Sequence, residues 1–204
     1  MKTVISILIS KVKTLLMSFA LIMAIIGLSA FKNTGDNTAE NKDTKKVAVI
    51  IVGHCSIPND YPRIKEYFKL HDKGGKEFEK AEYEMVHWPR NENNDAYWAG
   101  FMKVVKEVER TNKYSSVHPA FNEMCAPTVD EALNEALKTN PDEILVTSIM
   151  LTPGGGHSER DIPASIEEFK KKHPNVKVVY AWPYEPADIS NVLINQLNKF
   201  AGNN

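Results

Sequence analysis

Residues 47–52 read VAVIIV, a run with no polar residue to face water on either side. A strand of that kind is buried on both faces, as in a parallel sheet covered by helices above and below. Three more runs have strand character: residues 115–121 (SSVHPAF), 144–151 (ILVTSIML) and 176–181 (VKVVYA). Stretches with helical spacing separate them. Residues 62–70 place Ile64, Tyr67 and Phe68 on one side and stop at Gly74-Gly75. Residues 96–110 carry Trp98, Phe101, Met102, Val105 and Val108 at helical intervals. Residues 128–138 open with Thr128 and Glu131 in a capping-box pattern, with Val129, Leu133, Ala136 and Leu137 facing inward. Helices are also predicted over 162–172 and over 189–200, the last with Val192, Leu193, Ile194, Leu197 and Phe200 as its apolar set. Strands alternating with helices imply right-handed crossovers. The expectation is an α/β fold: one three-layer lobe around a four-stranded parallel sheet, with the VAVIIV strand central between the second and third.

The folded domain is expected over residues 47–204, with an insertion at about 72–113. Before it, Lys2, Lys11 and Lys13 flank an apolar stretch from Leu15 to Ala30 that ends in the small residues Gly27, Ser29 and Ala30. Residues 1–31 therefore read as a secretory signal peptide or an N-terminal membrane anchor. Residues 32–46 are polar and charged, a flexible linker. An exported, periplasmic or extracytoplasmic location follows as an expectation. The 25 basic and 26 acidic side chains nearly balance, which gives no electrostatic basis for binding nucleic acid.

In open α/β sheets ligands sit beyond the carboxyl ends of the strands, so the residues just after each strand carry the functional weight. They are His54, Glu123, His157 and residues 182–185. Neutral imidazole is a common ligand for late first-row divalent metals. Two histidines and one carboxylate leave coordination positions open, which suits a metal that must be handed on. Ordinary polar loop residues would also account for the same three side chains. His118, just before Pro119, is a candidate fourth ligand, whereas His71, His87 and His173 read as solvated. Cys55 and Cys125 each lie within two positions of a proposed ligand and are expected to come close, as a disulfide, a thiolate ligand or two inert thiols.

The stretches Gly53-His54-Cys55-Ser56, Ala120-Phe121-Asn122-Glu123 with Pro127 and Val129, and Leu151-Thr152-Pro153-Gly154-Gly155-Gly156-His157 with Asp161-Ile162-Pro163 resemble the class II chelatases. These are the short sirohydrochlorin chelatases that insert cobalt, nickel or iron. The resemblance implies a metal-inserting lyase that uses the divalent metal as substrate and no organic cofactor. It implies His54 and His157 as metal ligands, with Glu123 assisting in binding and catalysis. It also implies a tetrapyrrole partner and, because short members pair two copies, a homodimer. The flat, acid-edged ring calls for aromatic faces and cations, for which Trp88, Tyr97, Trp98, Trp182, Arg90 and Arg160 are candidates, with core packing the alternative for each aromatic. The chain departs from the family pattern at Cys55, Ser56 and Ile57, where glycine, serine and arginine are usual, and in the enlarged segment between its first two strands, which suggests a lid or ring-binding wall. The alternative function is an exported carrier that binds metal or tetrapyrrole without catalysis.

Overall fold

The computed structural model describes residues 45–202; the expected signal or anchor segment and nearly all of the expected linker lie outside the described residues. The strands are β1 (Val47–Gly53), β2 (Ser116–Phe121), β3 (Glu143–Ser148) and β4 (Val178–Tyr180). The helices are α1 (Ile64–His71), α2 (Lys76–Val86), α3 (Ala96–Arg110), α4 (Val129–Lys138), α5 (Ile162–Lys172) and α6 (Pro186–Asn198), and a π-helical turn at His157–Asp161 leads into α5. The sheet is four-stranded in the order β2-β1-β3-β4, and every pairing is parallel. The VAVIIV strand is therefore central, as its apolarity on both faces requires.

The period of two divides β1 between two cores. Ala48, Ile50 and Val52 face α4 and α5, where Leu133, Ala136, Ile162, Ile166 and Phe169 close over them. Val49 and Ile51 face α3 and meet Phe101 and Val105. Thr128 caps α4 in the expected reciprocal box: its hydroxyl accepts from Glu131 N, and the Glu131 carboxylate accepts from Thr128 N. Asp95 caps α3 by accepting from Trp98 N at 2.8 Å.

Some elements depart from the sequence expectation. β3 ends at Ser148 because its next groups find other partners: Ser148 Oγ accepts from Met150 N, and Trp182 Nε1 donates to the Met150 carbonyl. β4 is three residues long, and Val176 sits in the turn after α5, its N–H bonded to His173 O. On α1, Tyr67 is buried while Ile64 and Phe68 are exposed. The apolar set of α6 faces solvent. Within the enlarged β1–β2 segment, α3 is the crossover helix on the sheet, and α1 and α2 pack on each other around Tyr67 and Met85.

Candidate metal centre

The carboxyl ends of β1, β2 and β3 are laced together. Asn122 N donates to Gly53 O and Ile149 N donates to Val52 O, so the three loops leave the sheet at one level. Gly53 is needed there: a Cβ would stand 3.0 Å from the Phe101 ring, which packs edge-on against buried Phe121. His54 follows Gly53 directly, and Tyr97 accepts from the His54 backbone N–H. Glu123 stands two residues past β2, before Met124, whose φ of 60° turns the chain sharply. His157 opens the π turn after a glycine loop in which Gly154 has a φ of 101°.

His54, Glu123 and His157 converge. His54 Nε2 lies 2.8 Å from Glu123 Oε1, and His157 Nε2 lies 3.6 Å from Glu123 Oε2. One donor atom from each residue falls within 4.8 Å of the others, the one such cluster among the described residues. The imidazole centroids are 5.2 Å apart at a 60° tilt. All three side chains are a third or more exposed, so the cluster is open to solvent.

Both imidazoles are oriented through Nδ1. His54 Nδ1 lies 2.8 Å from the Cys55 carbonyl, and His157 Nδ1 lies 2.8 Å from Asp161 Oδ2, with the Asn122 amide at 2.6 Å. The carbonyl acceptor at His54 Nδ1 selects the tautomer whose Nε2 lone pair is free, the arrangement by which outer partners aim a metal-binding histidine; at His157 the Asp161 carboxylate favours the same tautomer, while the Asn122 Nδ2 donor competes for the same ring nitrogen. Hydrogen bonds from His157 and then Arg160 hold the Asp161 carboxyl below its usual range. Asp161 is a site residue that strand-end reasoning passed over. Its spacing of four residues from His157, one helical turn, was the available signal.

Beneath His54 and Glu123 lies a buried network. The Arg90 guanidinium donates to Asp95 Oδ2 at 2.6 Å, to Ser56 O at 2.5 Å and to Met124 O. Arg90 and Asp95 are 3% and 1% exposed, so Arg90 is a strut between the two loops and is not available to a substrate carboxylate. Cys55 and Cys125 are both buried and both free thiols. The hydrogen bond between them, with burial, pushes the Cys55 thiol up, and the same bond lowers Cys125. They do come together, but not as a disulfide.

The other candidates are placed elsewhere. His118 lies on β2 and bonds Ser116 Oγ, away from the cluster; burial lowers its pKa. His87 pairs with Glu131 at 2.9 Å, His71 stands beside Asp72, and His173 packs on Phe169. Trp98 packs into the α3 core, Trp88 donates to Asp60, and Trp182 stacks on Tyr180. Arg160 is exposed on the π turn and pairs with Asp161.

Two histidines and a carboxylate at the strand ends of a three-layer parallel α/β lobe form a donor set that could hold a divalent metal. The CbiX family model matches residues 92–199. The chain belongs to the CbiX family, the class II chelatases that its strand-end motifs resemble. It is 38% identical over 61 residues to the sirohydrochlorin cobaltochelatase of Methanopyrus kandleri, covering 30% of this chain and 42% of that protein. It is 37% identical over 67 residues to the sirohydrochlorin cobaltochelatase of Priestia megaterium, covering 33% of this chain and 22% of that protein. The chain thus spans less than half the length of these relatives. Among solved structures, the putative cobalamin biosynthesis CbiX protein of Marinobacter aquaeolei VT8 aligns with a TM-score of 0.45 and 18% identity over 75% of this chain and 98% of that one. The sirohydrochlorin chelatase SirB of Bacillus subtilis subspecies spizizenii, in complex with cobalt, aligns with a TM-score of 0.43 and 17% identity over 68% of this chain and 43% of that one.

Proposed function

We propose that this chain inserts a divalent metal (cobalt, nickel or iron) into a sirohydrochlorin-type tetrapyrrole. The observation that carries the reading is the convergence of one imidazole nitrogen from each of His54 and His157 and a Glu123 carboxylate oxygen within 4.8 Å of one another at the carboxyl ends of the strands. In this reading the two imidazoles and the carboxylate hold the incoming ion and leave further positions free for ring nitrogens. The ring gives up two pyrrole protons as the ion enters. Glu123 takes one of them, and imidazole or water takes the other. A groove of about 520 Å³, with Tyr67, Phe78, Tyr83, Val86 and His87 in its walls, opens beside Glu123, and we assign it to the rim of the ring. That gives α1 and α2 the role of a substrate wall.

The test is metallation of metal-free sirohydrochlorin by cobalt, nickel or iron, followed by absorbance. Glu123→Gln should slow metallation about 100-fold or more while weakening cobalt binding much less, because a lost proton acceptor acts on the chemical step. Tight binding of ring and metal with no acceleration would convert the enzyme into a carrier. We further propose that the protein works as a homodimer, and that it acts outside the cytoplasm, directed there by the basic-then-apolar segment of residues 1–31. Fractionation of cells producing the full chain tests the location.

A further inference from the structure

The groove beside Glu123 has the walls that a flat macrocycle needs but not the charges that an acid-edged one needs. Tyr67, Phe78, Tyr83 and Val86 present aromatic and apolar surface. The charged residues of the groove are Glu79, Glu82 and Glu123 with His71 and His87, and none of its lining residues is Lys or Arg. Both histidines already stand beside carboxylates, His71 at 3.7 Å from Asp72 and His87 at 2.9 Å from Glu131. Glu79 and Glu82 have no ion-pair partner among the described residues. Burial, and after it the charges of Glu82 and Glu123, push the Tyr67 phenol up, so both carboxylates act on this wall.

The nearby side chains that could offset these acids are apolar or occupied. Ile57, three residues past His54, packs into the cluster of Tyr61, Tyr67 and Met85, along with Phe78 and Val86 of the groove wall. Arg90 is 3% exposed and directs its guanidinium to Asp95, Ser56 O and Met124 O. Arg160 is different: its side chain is 77% exposed beside Asp161. The strand order β2-β1-β3 sets Arg160 on the His157 flank of the metal centre and the groove on the Glu123 flank.

We infer that the ring this site takes is asymmetric: the edge seated in the α1–α2 groove carries uncharged alkyl groups, and its free carboxylates lie on the opposite edge, toward Arg160. A carboxylate placed in the groove meets Glu79 and Glu82, and like charges brought together at an interface reject the wrong partner. An alkyl edge meets Phe78, Tyr83 and Val86 instead and gains by leaving water. The inference rests on the metal-insertion reading and narrows its substrate to tetrapyrroles with one neutral edge.

The test gives the full chain cobalt and two metal-free porphyrins in dilute detergent, with sirohydrochlorin run alongside. Mesoporphyrin IX has both carboxylates on one edge; uroporphyrin III has carboxylates on every edge. Absorbance follows metallation above the spontaneous rate. kcat/KM for mesoporphyrin should exceed that for uroporphyrin at least ~10-fold, by a margin that shrinks as salt screens the glutamates. In Glu79→Gln/Glu82→Gln, at exposed positions of α2 and with the fold checked by circular dichroism, that ratio should fall at least ~5-fold, through KM for uroporphyrin. An equal or higher value for uroporphyrin, or a ratio unmoved in the double variant, overturns the asymmetric ring and leaves metal insertion standing. So does sirohydrochlorin metallated while mesoporphyrin is untouched. No acceleration with any of the rings overturns metal insertion and the asymmetric ring together.

Discussion

The loops that carry His54 and Glu123 are joined by a buried strut, whereas the His157 ring meets a carboxylate from its own helical turn, with the Asn122 side chain at 2.6 Å beside it. The first two ride on loops joined by Arg90, whose guanidinium bonds Ser56, Asp95 and Met124 inside the protein. His157 is oriented by Asp161 four residues along, on an exposed turn after a glycine loop. The difference separates two ways of preparing a ligand. A tertiary strut fixes position only when the whole fold is in place, and its loss costs stability. A local carboxylate sets a ring's tautomer and angle, and its loss costs affinity.

Four measurements bear on that contrast. Replacing His54 or His157 by alanine should abolish cobalt binding in calorimetry from either side, with little change in the unfolding midpoint, since both side chains are partly exposed. Unchanged cobalt affinity in His157→Ala would disprove the shared site. Arg90→Met should lower stability by about 3–5 kcal/mol in denaturant titration, because it strands the buried Asp95 carboxylate. If the loss is under about 1 kcal/mol, the strut is not what holds the two loops. Asp161→Asn should do the reverse: stability within about 0.5 kcal/mol of the parent, with cobalt bound ~10–100-fold more weakly.

The smallest effect concerns His87 and Glu131, which tie the end of α2 to α4. Burial pulls the His87 pKa down, but hydrogen bonds to Glu131 and Tyr83 O prevail and raise it. Burial pushes Glu131 up, and bonds from Thr128 and His87 outweigh that and lower it. The raised histidine contributes stability below its ordinary value, lost as pH rises through its folded value. The lowered carboxylate contributes stability above its ordinary value, lost as pH falls through its folded value. The pair therefore stabilises most between about pH 4.3 and 6.5, by less than about 1 kcal/mol given its exposure. The stability gap between parent and His87→Gln should be widest in that window and shrink by pH 8.5; a gap independent of pH would remove the ion pair from the account.

The sheet order was legible because VAVIIV leaves β1 nowhere to go but the centre, and Thr128 with Glu131 announced the start of α4 by cap chemistry alone. His54, Glu123 and His157 were legible as strand-end residues, since parallel topology brings such residues to one edge. Arg90 was misjudged as a substrate cation. Its partners Ser56 and Met124 are far away in sequence, and nothing in a linear reading distinguishes a buried strut from a surface charge. The helical pattern of α6 was equally clear from sequence, but periodicity says which side chains share a face, not whether anything lies opposite. The fourth strand was legible in VKVVYA, but not that it would be only three residues long, because an edge strand lasts only as long as its one neighbour offers groups to bond.

The central strand is also the first to be made. β1 pairs with residues 116–121 on one side and 143–148 on the other. At ribosomal speeds of about 5–20 residues per second, the interval between synthesis of β1 and of β3 is roughly 5–20 s. During it, an uncharged, β-branched segment with two open edges is available to other nascent chains, the composition that favours intermolecular strand pairing. Lys45 and Lys46 immediately precede it, and charges flanking such a segment discourage that pairing. The arrangement that puts His54 at the middle of the edge thus leaves residues 47–53 without strand partners until the later strands arrive, with Lys45 and Lys46 as their flanking charges.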